Sequence, residues 1–141
     1  MTRTFEATSL DELKAVARFV IENQDLSNLI LLDGEMGTGK TTLVKTIMAM
    51  KGVHEVSSPT FAIVNRYDSD DGAFFHFDLY RIEEMEELYD IGFEEYLESG
   101  SPCLIEWPQI LYPTLDQPFI KIAIEMIDER RIFTISLPEV N

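Results

Sequence analysis

Residues 34–41 have the sequence GEMGTGKT, and this stretch decides the fold class of the 141-residue chain. It fits the pattern G-x-x-x-x-G-K-[ST], whose glycines allow a tight turn that brings successive backbone N–H groups onto phosphate oxygens. Lys40 is expected to reach the β- and γ-phosphates of ATP, and the Thr41 hydroxyl is expected to ligate Mg²⁺. The predicted nucleotide-binding residues of this stretch are Gly34, Glu35, Met36, Gly37, Thr38, Gly39, Lys40, Thr41 and Thr42.

The residues on either side of this stretch favour the same interpretation. Residues 29–32 (LILL) form a short apolar run, typical of a strand that is covered on both faces in an α/β sheet. A helix is expected from about Lys40 to Met50, closed by Gly52 in the left-handed conformation. Such a helix directs the positive end of its dipole at the phosphates. Its expected core-facing residues are Leu43, Ile47 and Met50.

An earlier helix is predicted to run to about Asn23. Ser9 and Glu12 have the spacing of a capping box, in which each side chain accepts a hydrogen bond from an otherwise unpaired backbone N–H group. The residues expected on the buried face of this helix are Leu10, Leu13, Ala17 and Val20.

The second half of the chain alternates between strand and helix patterns. Residues 62–67 and 73–77 flank an Asp-Gly turn and predict a β-hairpin. Residues 82–99 have a helical, strongly acidic pattern, and residues 103–107 predict another buried strand. Residues 119–126 and 131–137 predict a terminal antiparallel pair. The fold class is therefore α/β: one three-layer P-loop NTPase domain over residues 1–141, with a mixed central sheet and antiparallel terminal strands.

The charge balance limits the partners of the chain. It contains 26 Asp and Glu against 11 Lys and Arg, a formal net charge of -15. Because affinity for nucleic acid depends on cations that neutralise phosphates, direct binding of DNA or RNA is not expected. The acidity serves either solubility or attraction to a basic protein partner. No apolar run is long enough to cross a membrane, and the first residues do not resemble a secretory signal, so a cytoplasmic location is expected.

Acidic residues follow two of the apolar strand patterns. Glu106 follows residues 103–105, and Asp78 follows residues 74–77. Carboxylates at the carboxyl ends of sheet strands face the crevice where ligands bind in open α/β sheets, so both are candidates for holding the metal or orienting water. Trp107 is interpreted either as a core residue or as a surface beside the nucleotide. His76 is interpreted as a core or structural residue rather than an acid–base group, and Cys103 as a buried, inert thiol.

Four segments resemble those of the TsaE family, in the same order along the chain. They are residues 34–42 (GEMGTGKTT), 58–60 (SPT), 76–81 (HFDLYR) and 105–108 (IEWP). The resemblance extends over nearly the whole chain, and it implies a weak ATPase of bacterial tRNA threonylcarbamoyladenosine biosynthesis. It implies ATP and Mg²⁺ as cofactors, and TsaD and TsaB as protein partners. By the same resemblance, the chain and these two partners would together transfer a threonylcarbamoyl group to the adenosine next to the anticodon, with tRNA reached only through the complex.

The same resemblance assigns roles to single residues. It places Lys40 on the phosphates, Thr41 and Glu106 on Mg²⁺, and Asp78 as a second acid that hydrolysis requires. The division of metal-ligand and base roles between Asp78 and Glu106 stays open. The remaining nucleotide-binding candidates are Thr60 near the γ-phosphate, Trp107 beside the nucleotide, Thr8 or Ser9 and Arg130 or Arg131 at the adenine end, with Ser9 and Arg131 preferred.

Other functions of a P-loop chain fit the sequence less well. A small-molecule kinase needs cations that clamp an anionic acceptor, and residues 82–120 contain no Lys or Arg. A GTPase needs an Asn-Lys-x-Asp segment that binds guanine, which the sequence lacks. A non-catalytic adaptor, in which nucleotide occupancy orders a loop, remains an alternative to an ATPase whose turnover matters.

Overall fold

The computed structural model describes residues 1–35, 37–53 and 63–138. Within these residues, four α-helices surround a seven-stranded sheet. The strands are β1 (Thr2–Ala7), β2 (Leu29–Gly34), β3 (Val64–Ser69), β4 (Gly72–Asp78), β5 (Cys103–Glu106), β6 (Ile120–Ile127) and β7 (Arg130–Ser136). The helices are α1 (Leu10–Glu22), α2 (Lys40–Met50), α3 (Met85–Asp90) and α4 (Phe93–Glu98). Two 3₁₀ helices, Gln24–Leu26 and Pro108–Thr114, complete the described part.

The sheet is mixed, with its parallel strands in the centre. The strand order is β1-β7-β6-β2-β5-β4-β3. Strands β6, β2, β5 and β4 run parallel, whereas β7 and β1 continue one side antiparallel and β3 pairs antiparallel with β4. The mixed sheet, the hairpin and the antiparallel terminal pair of the sequence-based prediction are confirmed.

Two hydrophobic cores lie on opposite faces of the sheet and give the three predicted layers. Alternate residues of β2 divide between them, because successive side chains of a strand point to opposite faces. Ile30 and Leu32 pack in the core beneath α1 and α2. Leu29 and Leu31 pack in the other core, with α3, α4 and the turn that follows β5. Burial on both faces explains the continuous apolar run of this strand.

Helices α1 and α2 match their predicted bounds, with two differences in the residues they bury. Leu10 is 60% exposed, because it lies in the first turn of α1, whose first three residues are all exposed. Met50 is 39% exposed in the last turn of α2, where Met48 is buried in its place. Gly52 has φ = +88°, which fits its predicted role in closing α2.

Three further features differ from the sequence-based expectation. The acidic stretch 82–99 forms two short helices because Gly92, at φ = +76°, interrupts it. Strand β1 was not predicted, since its residues are mostly exposed at the sheet edge and lack an apolar pattern. Glu12 completes only half of the expected capping box. Its backbone N–H donates to Ser9 Oγ, but its carboxylate accepts from the Thr8 backbone N–H.

In the described part of the chain, no helix is both long and apolar enough to cross a membrane.

Cys103, the first residue of β5, is buried, and burial raises the pKa of its thiol to about 12. This environment matches the expected inert thiol.

Candidate nucleotide-binding site

The phosphate loop lies between the end of β2 and the start of α2. Gly39 caps α2 in the left-handed conformation, at φ = +101°. Gly34 is needed for a different reason: a Cβ atom there would lie 2.9 Å from the Ile124 carbonyl oxygen of the neighbouring strand. The strand, loop and helix therefore follow one another as the sequence predicts. Met36 lies outside the described residues.

Lys40 is 5% exposed and is directed back towards its own loop. Its ammonium group donates hydrogen bonds to the carbonyl oxygens of Gly34 and Glu35, and it lies 3.7 Å from the centroid of the Trp107 ring. Burial lowers the pKa of Lys40, while the nearby carboxylates, Glu106 first, oppose this shift. The site thus holds a largely desolvated cation beside an aromatic ring.

Glu106 ends β5 and faces the start of α2. The Thr41 hydroxyl donates to its carboxylate, with distances of 3.1 Å to Oε1 and 3.3 Å to Oε2. His76 Nε2 lies 2.5 Å from Glu106 Oε2. The carboxylate, which is 3% exposed, is therefore held from two sides.

Asp78 ends β4, directly beside Glu106 in the register of the parallel pair. Burial raises the pKa of the Asp78 carboxyl, and a hydrogen bond of 3.0 Å from the Tyr80 backbone N–H acts in the opposite direction. The Glu106 charge also raises this pKa. Two carboxylates in unlike surroundings therefore occupy the same edge of the sheet.

These groups surround a cavity of about 270 Å³. The residues that line it are Gly37, Gly39, Lys40, Thr41, Asp78, Tyr80, Glu106 and Trp107. A second cavity of about 680 Å³ adjoins the loop, and Gly37 and Trp107 line both cavities. Trp107 is itself in the left-handed conformation, at φ = +58°, and its ring packs on Tyr80 with centroids 4.9 Å apart.

The oxygen donors at the cavity fit magnesium. Mg²⁺ prefers oxygen ligands and usually takes only one or two from the protein, with waters and phosphates completing its shell. Thr41 Oγ1 and the Glu106 carboxylate supply such a pair at 3.1 Å from each other. No group of three or more His, Cys, Asp or Glu that could hold a metal occurs in the described ranges. The site suits a cation that a nucleotide brings with it better than a cation held by protein alone.

A protein-family model described as threonylcarbamoyl adenosine biosynthesis protein TsaE matches residues 7–132 of the chain. The chain belongs to the TsaE family. One similar protein is the tRNA threonylcarbamoyladenosine biosynthesis protein TsaE of Rickettsia felis, which is 34% identical over 123 aligned residues. The alignment covers 86% of this chain and 71% of that protein. The protein of the same name from Bacillus subtilis is 34% identical over 125 residues, 86% of this chain and 78% of that protein.

A solved structure supports the fold independently. The crystal structure of Bacillus subtilis YdiB superposes with a TM-score of 0.72, over 99% of this chain and 87% of that chain, at 24% sequence identity. The family match thus confirms the predicted membership of the TsaE family, and the solved structure confirms the predicted fold class.

The adenine-end residues predicted from the TsaE resemblance lie at one corner of the sheet. Arg131 pairs with Ala7 across β7 and β1, so Thr8 and Ser9 follow directly after its partner. A Cβ atom on Gly39 would lie 3.1 Å from Arg131 Nε, a buried atom that has no hydrogen-bond partner in the described part of the chain. Arg130 instead binds Glu6. The geometry places Arg131 rather than Arg130 beside the loop, and their nucleotide contacts stay predictions.

Two other predicted residues lie elsewhere, at the start of α1 and on α2. The Ser9 hydroxyl caps α1, where it accepts from the Glu12 backbone N–H at 3.2 Å. The Thr42 side chain is exposed on α2. Thr60 and the rest of the SPT segment lie outside the described residues. The adenine role of Ser9 and the γ-phosphate role of Thr60 stay predictions.

Sequence reasoning missed two parts of this TsaE-family site. His76 was interpreted as structural, and its contact with Glu106 was not foreseen. Asp33 was not singled out, although its carboxylate accepts hydrogen bonds from Gln109 at 2.8 Å and from Tyr112 at 2.9 Å. The alternation of HFD does place His76 and Asp78 on one face of a strand. The sequence does not say which strand lies beside it.

Proposed function

We propose that this chain binds ATP with Mg²⁺ and hydrolyses it slowly. In this way it supports threonylcarbamoyl transfer to the adenosine next to the anticodon of tRNA, together with TsaD and TsaB in the cytoplasm. Its membership of the TsaE family supports the pathway. The observation that carries the ATPase proposal is the Thr41–Glu106 contact of 3.1 Å, formed where the phosphate loop meets the ends of the parallel strands.

Each residue has a chemical part in this proposal. Lys40 exchanges its carbonyl partners for phosphate oxygens, which bind an ammonium group more strongly because they are charged. Thr41 and Glu106 hold Mg²⁺, which when bound neutralises charge on the β- and γ-phosphates. Asp78 is the better candidate to orient and deprotonate the attacking water, since its raised pKa makes it a stronger base than an ordinary aspartate. We therefore assign the metal to Glu106 and the water to Asp78.

Slow turnover follows from the charges around the cavity. Lys40 is the one cation among the described residues that line it. Arginine fingers that stabilise the transition state increase phosphoryl-transfer rates by about 10³–10⁵-fold, so a site without one turns over slowly. We expect faster hydrolysis in the presence of TsaD and TsaB.

Substitutions at three residues test the site. Lys40→Ala should weaken ATP binding by about 2–5 kcal/mol, because the phosphates lose a buried charged partner. Asp78→Ala should keep ATP binding and lower kcat by roughly 10²–10⁴-fold. Glu106→Ala should also lower kcat, and it should reduce the gain in ATP affinity from Mg²⁺ by about tenfold or more, because the proposed metal ligand is lost. Lys45→Ala is the matched control, since this lysine is exposed on the same helix. Calorimetric titration and phosphate release measure the two effects. Normal hydrolysis by both acid variants would refute the assigned roles.

The fluorescence of Trp107 offers a direct test of nucleotide binding, because it is the only tryptophan. A nucleotide that draws Lys40 onto phosphate removes the ammonium group from the indole face, and we expect a saturable change in emission with ATP·Mg²⁺. The Trp107→Phe variant contains no tryptophan and serves as the control for emission from other sources. An unchanged spectrum at saturating ATP, with binding confirmed by calorimetry, would place Trp107 away from the nucleotide.

One observation favours the adaptor as a second candidate. Lys40 binds its own loop and Trp107, so ATP has to rearrange these contacts. Occupancy alone would then change the surface near the cavity. The Asp78→Ala variant separates the two functions in a reconstituted modification reaction with TsaD and TsaB. If the complex with this variant modifies many tRNA molecules in succession, the adaptor is supported. If it modifies only one tRNA per complex, ATP hydrolysis is needed for repeated rounds, which supports the ATPase.

A further inference from the structure

We propose that His76 is a positioning residue, which fixes the Glu106 carboxylate in the orientation needed for Mg²⁺. The inference rests on the proposed ATP·Mg²⁺ binding and extends the site by a residue that does not touch the nucleotide. It depends on the placement of His76, on its hydrogen bond to Glu106 and on the composition of the strand that carries it.

The register of the sheet brings the two side chains together. His76 lies opposite Leu104 in the parallel pair of β4 and β5, which makes Glu106 its diagonal neighbour on the same face. His76 Nε2 is 2.5 Å from Glu106 Oε2. An ionised carboxylate only accepts hydrogen bonds, so the Nε2 atom carries the hydrogen.

The imidazole binds one Glu106 oxygen, whereas the Thr41 hydroxyl contacts both, at 3.1 Å from Oε1 and 3.3 Å from Oε2. Oε2 is bound by the imidazole, and Oε1 is the oxygen nearer to the Thr41 hydroxyl, at 3.1 Å. A glutamate side chain has three rotatable bonds, and a donor behind the carboxylate restricts the orientations it can adopt. Partners of this kind hold metal ligands in place, and their loss typically costs about 10–100-fold in metal affinity or activity.

Packing alone does not account for a histidine at this position. His76 is 0% exposed, and its strand neighbours are Phe75 and Phe77. Its Nδ1 atom finds no hydrogen-bond partner within the described residues. A buried polar ring with one unmet group is less favourable than an apolar ring of similar shape. The bond to Glu106 is thus the feature that distinguishes histidine from phenylalanine here.

His76 acts through Glu106 rather than on the nucleotide. It does not line the cavity of about 270 Å³, whereas Glu106 does. Its effect should therefore appear in the magnesium dependence of ATP binding and in kcat. ATP binding without metal should be unaffected.

Three substitutions separate positioning from packing. Gln places an amide N–H as many bonds from Cβ as His Nε2, so His76→Gln can still donate to Glu106. Asn carries its amide one bond closer to the backbone, at the level of Nδ1, and Phe keeps the ring without a donor. We expect His76→Gln to retain most of the function, and His76→Asn and His76→Phe to lose it.

The main measurement is ATP affinity with Mg²⁺ and with EDTA, followed by calorimetry. His76→Phe should reduce the gain in affinity from Mg²⁺ by about tenfold, with the affinity in EDTA unchanged. For His76→Gln, the gain in ATP affinity from Mg²⁺ should stay within about threefold of the gain for the unsubstituted chain. Equal magnesium dependence in His76→Phe and the unsubstituted chain would overturn the proposal, as would a His76→Gln variant as impaired as His76→Phe.

A second measurement uses the metal-free, unsubstituted protein and decides the matter if His76→Phe fails to fold. A buried imidazole N–H bound to a carboxylate should give a downfield proton resonance that Glu106→Ala removes. The chain has two histidines, so the His54→Gln variant assigns the signal. Absence of the resonance in a folded sample contradicts the proposal. If the unsubstituted chain itself shows no magnesium-dependent ATP binding, the proposed function fails instead, which is a distinct result.

Discussion

Asp78 and Glu106 are neighbours at the sheet edge, yet their surroundings suit them to different work. Glu106 is held by His76 and Thr41, which fix the direction of its oxygens. The only hydrogen bond to the Asp78 carboxylate in the described ranges comes from the Tyr80 backbone N–H, and burial raises its pKa. The fixed orientation of Glu106 suits a metal ligand, and the raised pKa of Asp78 suits a base that accepts a proton from water. This is the assignment proposed above.

The raised pKa of Asp78 leads to a prediction about stability. A carboxyl whose pKa rises on folding contributes its full stability below the pKa of the unfolded chain, ordinarily 3.8, and loses it as the pH rises through the folded value. Asp78→Asn removes that loss. We expect it to raise the melting temperature by a few degrees at pH 7, with the gain disappearing below about pH 4.

Thermal melts of both proteins across this pH range check the prediction, with Asp90→Asn as the control because Asp90 is exposed. A gain that is the same at pH 4 and pH 7, or a lower melting temperature at pH 7, would show that ionised Asp78 is not strained by burial.

At this scale, the sequence indicates some residues of the site and not others. Lys40 and Thr41 follow from their spacing, and Asp78 and Glu106 from their place after apolar runs. The Trp107–Lys40 contact and the His76–Glu106 bond were not predictable. The His76–Glu106 bond depends on strand order, and the Trp107–Lys40 contact depends on the left-handed backbone of Trp107. A local sequence pattern predicts neither of these features.

Gly92 decides the form of the acidic segment at the scale of secondary structure. Its left-handed conformation ends one turn and starts the next, so α3 and α4 each span six residues. Leu88 and Phe93, on either side of it, are both buried in the core beneath these helices. A continuous helix would rotate these side chains relative to each other, and the break lets both reach the core.

We predict that Gly92→Ala destabilises the fold by about 1–2 kcal/mol, the cost of the left-handed conformation for a residue with a Cβ atom. The substitution creates no close contact, since the nearest atom to an added Cβ would be Glu95 Oε2 at 3.6 Å. Gly92→Asn is the matched control and should cost less, because asparagine tolerates this conformation. Urea denaturation measures both. Equal stability of Gly92→Ala and the unsubstituted chain would argue for one continuous helix.

Other elements follow from the sequence in proportion to their burial. The apolar run of β2, the Asp-Gly hairpin and the terminal pair were predicted because their patterns reflect their environments. Strand β1 has one buried residue, Ala7, and its place at the sheet edge depends on backbone pairing with β7. Backbone hydrogen bonds leave little trace in composition, so an exposed edge strand is hard to predict.

The distribution of charge is a property of the whole molecule. The net charge is -15, and residues 82–120 contain no Lys or Arg to offset their acids. The exposed glutamates of α3 and α4 lie on the layer opposite α1 and α2. A surface of this charge repels phosphate backbones, and it serves either solubility or attraction to a basic protein partner.

We predict that association with purified TsaD and TsaB slows by about tenfold or more between 50 and 500 mM salt, because charge steers the encounter. Replacing Glu86, Glu94 and Glu98 by Gln should remove more of this dependence than replacing Asp11, Glu22 and Asp25 by their amides on the opposite layer. Stopped-flow or biosensor rates measure it. An association rate that does not depend on salt would contradict this prediction and favour solubility as the role of the acidic surface.

The buried thiol of Cys103 gives this chain a built-in reporter of opening. It is the only cysteine, it lies in the central parallel strands, and its pKa of about 12 leaves almost no thiolate at neutral pH. An alkylating reagent should therefore react only with molecules whose sheet has come apart. ATP·Mg²⁺ should slow the alkylation by the factor by which it stabilises the folded form, so mass spectrometry of a single site can measure nucleotide affinity without any engineered label.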